Sequence, residues 1–476
     1  MRMNTIGLLL ACVILAGCHH RGVRGSGVET TQERSLDEFT AVDISGTFGV
    51  TIRCGEKPGA TVIAANRVAR RNGEAQVDTT IRQPTYDLND RPFMIIWETT
   101  HACDLACRHC RAEAIPQHDP LSLTFEEAKR LLEQVESFGK PRPIFIFTGG
   151  DPFKRQDLFD LLAYGNQLGL AMAVSPSGTP LLTEENLRKV RESGGKAISL
   201  SIDGSTAERH DQFRGVPGSF DLTSRGWQMA RKLGIKIQLN TTVTRYNLED
   251  LPEIFRLVLE YGAMTWSLFF LVPVGRGRAE DEVSPAEYEG VMHFLYDCSK
   301  YASAKTTEGH HYKRVVLQRA ILDDKGLPVE DYFKLDPVYY RLKAALESVV
   351  TQRNLKPKDN IIRTPMHINA GNGFVFISRR GEVYPSGFMP IAAGNVKEKS
   401  LVEIYREAPL FQDLRDESKL EGRCGLCEFV GVCGGSRSRA YAVTGDPLAE
   451  EPFCTYEPGS FPFQDELEAR LHTERE

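Results

Sequence analysis

The chain has 476 residues, 41% of them hydrophobic and 26% charged, with a formal net charge of -6. That length allows about two to four domains around a large buried core, and the composition is ordinary for a globular protein. The acidic balance argues against a general nucleic-acid binder or a protein held to anionic membranes by charge, and no internal repeat or long low-complexity tract is present.

At the N-terminus Arg2 precedes an apolar run from Ile6 to Leu15, followed by Ala16-Gly17-Cys18. A basic start, a short apolar stretch and small residues before a cysteine describe a secretory signal, and the run is short for a membrane span. A buried strand or helix is the alternative. The pattern resembles a bacterial lipoprotein signal over residues 1–18, with Cys18 as the lipidated residue. Residues 19–83 are rich in Gly, Thr and Arg, with one strand-like alternation at 48–52. The runs Phe39-Thr40-Ala41-Val42-Asp43-Ile44-Ser45-Gly46 and Gly55-Glu56-Lys57-Pro58 resemble the opening of the head GIN domain of exported lipoproteins. So few rungs of a solenoid cannot bury its faces, so the segment reads as a truncated fragment or linker.

From Tyr86 apolar runs alternate with amphipathic stretches, the pattern of a parallel α/β domain. Strands are expected at 93–97, 144–147, 170–174, 197–202, 235–242 and 264–271, and helices at 124–138, 156–168, 183–193 and 220–233. Thr124 and Glu127 have capping-box spacing. Six such units over residues 84–284 predict a partial (β/α)6 TIM-type barrel, open on one side, with chemistry on the loops at the strand carboxyl ends. Residues 285–370 read as a helical connection. A hairpin of 374–377 and 382–384 around Arg380-Gly381 then opens a C-terminal region, 371–476.

Eleven cysteines are present, and seven fall in two compact groups, leaving Cys12, Cys18, Cys54 and Cys298 scattered. Clustering of this kind favours metal or redox ligands over a disulfide framework. The first group, Cys103-x3-Cys107-x2-Cys110, follows the first expected strand. Three thiolates on one loop can hold a cubane and leave its fourth iron open. Zinc is the alternative, with His101 or His109 as a fourth ligand. The spacing resembles the signature of the radical S-adenosylmethionine (radical SAM) superfamily, and the likeness runs from about Pro92 to Pro273. It implies a [4Fe-4S] cluster on Cys103, Cys107 and Cys110 that reductively cleaves S-adenosylmethionine to a 5′-deoxyadenosyl radical. It also implies a cofactor site: His109 against the adenine; Gly149, Gly150, Asp151 and Pro152 at the methionine amino group, with Asp in place of the family's Glu; and Ser201 and Asp203 on the ribose-facing strand. Arg214 would take the cofactor carboxylate, while Asn240 and Val274-Gly275-Arg276 complete the pattern. Arg214 and Asn240 are equally compatible with surface or structural roles.

The second group is Cys424-x2-Cys427-x5-Cys433-Gly434-Gly435-Ser436-Arg437-x-Arg439-Ala440, with Cys454 further on. Four thiolates can close one cubane completely; a structural zinc or a pair of disulfides would use the same residues. The run resembles the SPASM-type extension and implies an auxiliary [4Fe-4S] cluster. Ser386 and Arg437 stand where fuller versions have cysteine, so one auxiliary cluster is expected. Its form is most similar to the branch that modifies tetrapyrroles, the haem d1 and alternative-haem enzymes, which implies attack on a propionate carbon β to the carboxylate. Glu308, in the run 305–312, replaces a cysteine of those relatives; the adjacent His310 and His311 could bind an iron porphyrin, but in a helical, charged region they are expected to be solvated. The resemblance implies a low-potential donor of flavodoxin or ferredoxin type and a small-molecule or peptide substrate, with peptide maturation as the alternative activity. The chemistry implies a cytoplasmic location. The lipoprotein-like start points instead to export, and to an exported protein with structural metal or electron-transfer clusters, unless the first 80-odd residues are a fusion onto a cytosolic enzyme.

Overall fold

The computed structural model describes residues 85–358, 362 and 365–471, together with the backbone of five short strands between residues 30 and 75. The chain divides into two compact units, Met1–Asp78 and Thr79–Glu476. In the first, strands Thr30–Ser35, Gly59–Ala64 and Gly49–Arg53 form an antiparallel sheet in that spatial order. The alternation expected at 48–52 falls on the last of these. The signal segment and Cys18 lie outside the described residues.

The second unit is built on parallel strands: β1 (Met94–Thr100), β2 (Ile144–Gly149), β3 (Ala171–Val174), β4 (Ala197–Ser201), β5 (Lys236–Val243) and β6 (Thr265–Phe270). Each adjoins the next in sequence order. The side chains alternate as a pleated strand requires. On β5, Ile237, Leu239, Thr241 and Val243 are buried, while Gln238, Asn240 and Thr242 are half-buried on the other face. The crossovers are helical: α1 (Phe125–Glu136), α2 (Leu158–Gln167), α3 (Glu184–Glu192), the pair α4 (Ala207–Arg214) and α5 (Ser219–Lys232), and α6 (Leu251–Tyr261). The capping box forms at α1: Thr124 Oγ1 accepts from the Glu127 N–H, and the Glu127 side chain accepts from the Thr124 N–H at 2.8 Å. Such a cap is worth about 1 kcal/mol.

The sheet extends beyond the six expected units at both edges. Residues 285–370 contain three helices, α7 (Pro285–Ser299), α8 (Tyr312–Lys325) and α9 (Pro337–Gln352). They also contain a strand, β7 (Ala304–Thr307), which pairs in parallel with β6. At the other edge, β8 (Gly373–Ile377) lies parallel to β1, with Phe374 opposite Met94. The hairpin partner β9 (Glu382–Tyr384) continues it antiparallel. The segment expected as a helical connection is mostly helical and also supplies a short edge strand, and the hairpin continues the sheet at the other edge. Ala304–Thr307 is four residues long with Lys305 in it, too short and too polar to show a strand period. Among the described residues no helix is long and apolar enough to cross a membrane.

Candidate active site and a second thiol site

The first cysteine loop leaves the carboxyl end of β1 and is pinned on three sides. Cys103 N–H donates to Ile115 O at 2.8 Å, Ala106 N–H to Arg214 O at 3.1 Å and Arg108 N–H to Phe213 O at 3.2 Å. Asp151 N–H reaches Ala102 O at 2.8 Å from the loop after β2, and Arg276 N–H reaches Cys110 O at 3.0 Å from the loop after β6. These close approaches explain the glycines. Gly149 has φ +146°, and a Cβ there would fall 2.1 Å from Thr100 O; Gly215 caps α4 at φ +72°, where a Cβ would sit 2.7 Å from Ala106 O. Any side chain at either position would push the cysteine loop away.

The thiols sit among donors. Leu105 N–H approaches Cys103 Sγ at 3.4 Å, Ala114 N–H approaches Cys110 Sγ at 3.4 Å, and Arg214 Nη1 lies 3.6 Å from Cys107 Sγ. Burial pushes the Cys103 and Cys107 thiols above their usual range; at Cys107 the Arg214 charge opposes that shift. Ligation to iron ionises a thiol outright. Arg214 also ion-pairs with the buried Asp203 at the end of β4, whose other oxygen accepts from Thr242 N–H at 2.6 Å. Asp203 thus holds the arginine beside Cys107. The Asp151 carboxylate is buried too, and accepts from Thr179 Oγ1 at 2.6 Å and Phe153 N–H at 3.1 Å. It fixes the Gly149–Pro152 loop, and Ser177 Oγ donates to Gly150 O at 2.7 Å.

His109 packs its ring 4.6 Å from Phe213. Burial and the nearby Arg214 and Arg276 charges hold it well below the usual histidine range, so it is neutral at neutral pH. Ser201 and Asn240 are register partners on β4 and β5, both half-buried, and Asn240 Oδ1 accepts from Gln238 Nε2 at 2.8 Å. Nδ1 of His109 and Nε and Nη2 of Arg276 are buried without hydrogen-bond partners. Unpaired polar atoms beside the thiols are what a polar ligand satisfies, so the residues present fit a cluster together with a charged organic cofactor.

In the second group, Cys424, Cys427, Cys433 and Cys454 line one cavity with His311 and Arg314. Glu451 N–H donates to Cys424 Sγ at 3.3 Å and Gly435 N–H to Cys433 Sγ at 3.4 Å. Burial pushes the Cys427 thiol up to about 12. Among the described residues no three His, Cys, Asp or Glu side chains converge closely enough to hold one metal ion; the four thiols border one cavity. Arg437 is a buried staple here, donating to Ala449 O at 2.6 Å and Pro447 O at 3.1 Å, with Nη2 3.6 Å from Cys424 Sγ.

Between the two groups lies a polar network that single positions did not reveal. Glu308, at φ +55°, accepts hydrogen bonds from Ser386 Oγ (2.9 Å), Ser436 Oγ (2.5 Å) and Ser438 Oγ (3.0 Å). Two departures from the cysteine pattern, Glu308 and Ser386, are therefore bonded to each other. Arg439, fully buried, donates to Glu308 O at 2.8 Å and Leu271 O at 2.5 Å, and pairs with Glu282 at 3.3 Å. The expectation that His310 and His311 are solvated is overturned: His311 is fully buried and His310 half-buried, because α8 packs inward with Arg314 paired to Glu289 at 2.6 Å.

The matching family model is the radical SAM superfamily, over residues 97–258. The chain is 40% identical over 374 residues to the AdoMet-dependent heme synthase of Methanosarcina barkeri, spanning 78% of this chain and 99% of that one. It is 29% identical to the Fe-coproporphyrin III synthase of the same organism, over 77% and 88% of the two chains. The crystal structure of Streptococcus suis SuiB bound to S-adenosylmethionine superposes with a TM-score of 0.54 at 14% identity, over 77% of this chain and 78% of that chain, which shows a shared fold. The chain belongs to the radical SAM superfamily. It is an enzyme of the class that binds a [4Fe-4S] cluster and S-adenosylmethionine and cleaves the latter to a radical.

Proposed function

We propose that this enzyme acts on a tetrapyrrole and converts propionate side chains to vinyl groups, forming haem. The observation that carries the reading is the 40% identity to an AdoMet-dependent heme synthase along 99% of that protein's length. When bound, the cluster and S-adenosylmethionine supply one electron and a carbon-centred radical able to take hydrogen from an unactivated carbon. Removal of hydrogen from the propionate carbon β to the carboxylate leaves a substrate radical. Departure of carbon dioxide and one electron then gives the double bond. The balance requires an electron acceptor, and an oxidised second cluster is of the right chemical class.

In this reading Cys103, Cys107 and Cys110 hold the first cluster and leave one position open. Asp203 holds Arg214 where it offers charge to the cofactor carboxylate, while Asp151 keeps the Gly149–Pro152 loop in place for the methionine end. Asn240, Ser201 and His109 border the nucleoside. Cys424, Cys427, Cys433 and Cys454 hold a second [4Fe-4S] cluster, and residues 371–476 serve as a SPASM-like region. The alternative, maturation of a ribosomally made peptide, uses the same first site.

A tetrapyrrole deuterated at the propionate carbon β to the carboxylate tests the assignment. Deuterium is expected in 5′-deoxyadenosine, with carbon dioxide released in step. Unlabelled 5′-deoxyadenosine and an intact tetrapyrrole would contradict it.

A further inference from the structure

His311 caps the N-terminal end of α8 and is fully buried, yet neither of its ring nitrogens has a hydrogen-bond partner. Buried polar groups are nearly always paired, because leaving one unpaired forfeits its hydration for nothing. The neighbouring cations are committed: Lys313 donates to Ile368 O at 2.8 Å, and Arg314 is held by Glu289 on both of its terminal nitrogens. The His311 ring is stacked on Tyr288, with centroids 5.5 Å apart and planes at 25°, so its orientation is fixed by packing. It lines the same cavity as the four thiols of the second group.

We infer that His311 donates an N–H···S hydrogen bond to the cluster held by Cys424, Cys427, Cys433 and Cys454, and so favours its reduced state. The inference rests on reading those four thiols as cluster ligands. Four thiolates already supply one ligand to each iron of a cubane, so the imidazole acts on the cluster's sulfur and not as a fifth ligand. Reduction adds negative charge to the sulfurs and strengthens the bond they accept, so the donor raises the cluster potential. His311 is a positioning and tuning residue. Its removal leaves the irons in place and makes the cluster harder to reduce, and hence a poorer electron acceptor.

The test uses the full chain carrying Cys103→Ala, Cys107→Ala and Cys110→Ala together, so that only the second cluster contributes to the spectrum. Iron and sulfide are counted, and the cluster is titrated by electron paramagnetic resonance, in this parent and with His311→Leu or His311→Gln added. Expected are unchanged iron and sulfide in all three, a midpoint potential moved to more negative values by His311→Leu, and partial recovery by His311→Gln, whose amide restores a donor. An unchanged potential in His311→Leu would overturn the inference, as would loss of the cluster from both histidine variants. A parent that assembles no cluster fails for a different reason: it would overturn the ligand reading beneath it.

Discussion

The two thiol sites are assembled in opposite ways, and the contrast separates their duties. The first takes three cysteines from eight consecutive positions of one loop, after a strand that is itself central in the sheet. The scaffold for it is supplied by backbone contacts from the loops after β2 and β6 and from the end of α4. The second takes four cysteines spread over residues 424–454. Two buried arginines accompany it, Arg314 lining the cavity and Arg437 beside Cys424, each anchored elsewhere. Three thiols leave a coordination position for a cofactor and four do not. On the proposed assignment of the seven cysteines as cluster ligands, the open site suits bond cleavage and the closed one electron storage.

The largest break in that comparison comes from the first group. Cys107→Ala should remove 5′-deoxyadenosine formation to background and lower the iron content by about four atoms per chain, with the second cluster's spectrum retained; anaerobic iron analysis and chromatography of the nucleoside check both. Cys433→Ala should remove a similar amount of iron from the other site. It is expected to spare cofactor cleavage while abolishing tetrapyrrole product, a split that a purely structural second site would not give.

The guanidinium of Arg439 ties the end of β6, at Leu271 O, to the backbone of Glu308. Arg439→Ala removes the ion-pair partner of two buried carboxylates, Glu282 at 3.3 Å and Glu451 at 3.8 Å, so a loss of about 3–5 kcal/mol is expected in anaerobic urea unfolding of the holoprotein. Arg214→Lys should be milder. Lysine keeps the charge but cannot reach Asp203 and Cys107 together, so the KM for S-adenosylmethionine is expected to rise on the order of tenfold, about 1.4 kcal/mol, with kcat less affected.

Much of this was legible in the sequence because it is local. The cysteine spacing, the paired glycines after β2 and the alternation of β5 each need only a few neighbouring residues. Six strands fall within a few residues of their expected places for the same reason. What the sequence hides is non-local or too short for a period. The parallel pairing of β8 with β1 joins residues some 280 positions apart, and nothing near Phe374 announces it. Glu308 and Ser386 each read as a departure, yet their meaning is joint, since one accepts the other's hydrogen bond across 78 positions. His311 misleads for a similar reason: its flanking charges suggest a wet surface, but Arg314 and Lys313 are themselves paired inside the protein.

The central claim is that radical cleavage of S-adenosylmethionine is coupled to a tetrapyrrole. The most direct measurement incubates the reconstituted full chain anaerobically with S-adenosylmethionine, dithionite and iron coproporphyrin III, following porphyrin mass and 5′-deoxyadenosine together. The account predicts loss of carbon dioxide and hydrogen from the propionates to give haem, with nucleoside formed in proportion and neither product made by Cys107→Ala. Nucleoside released at the same rate without the porphyrin, and a porphyrin of unchanged mass, would contradict it.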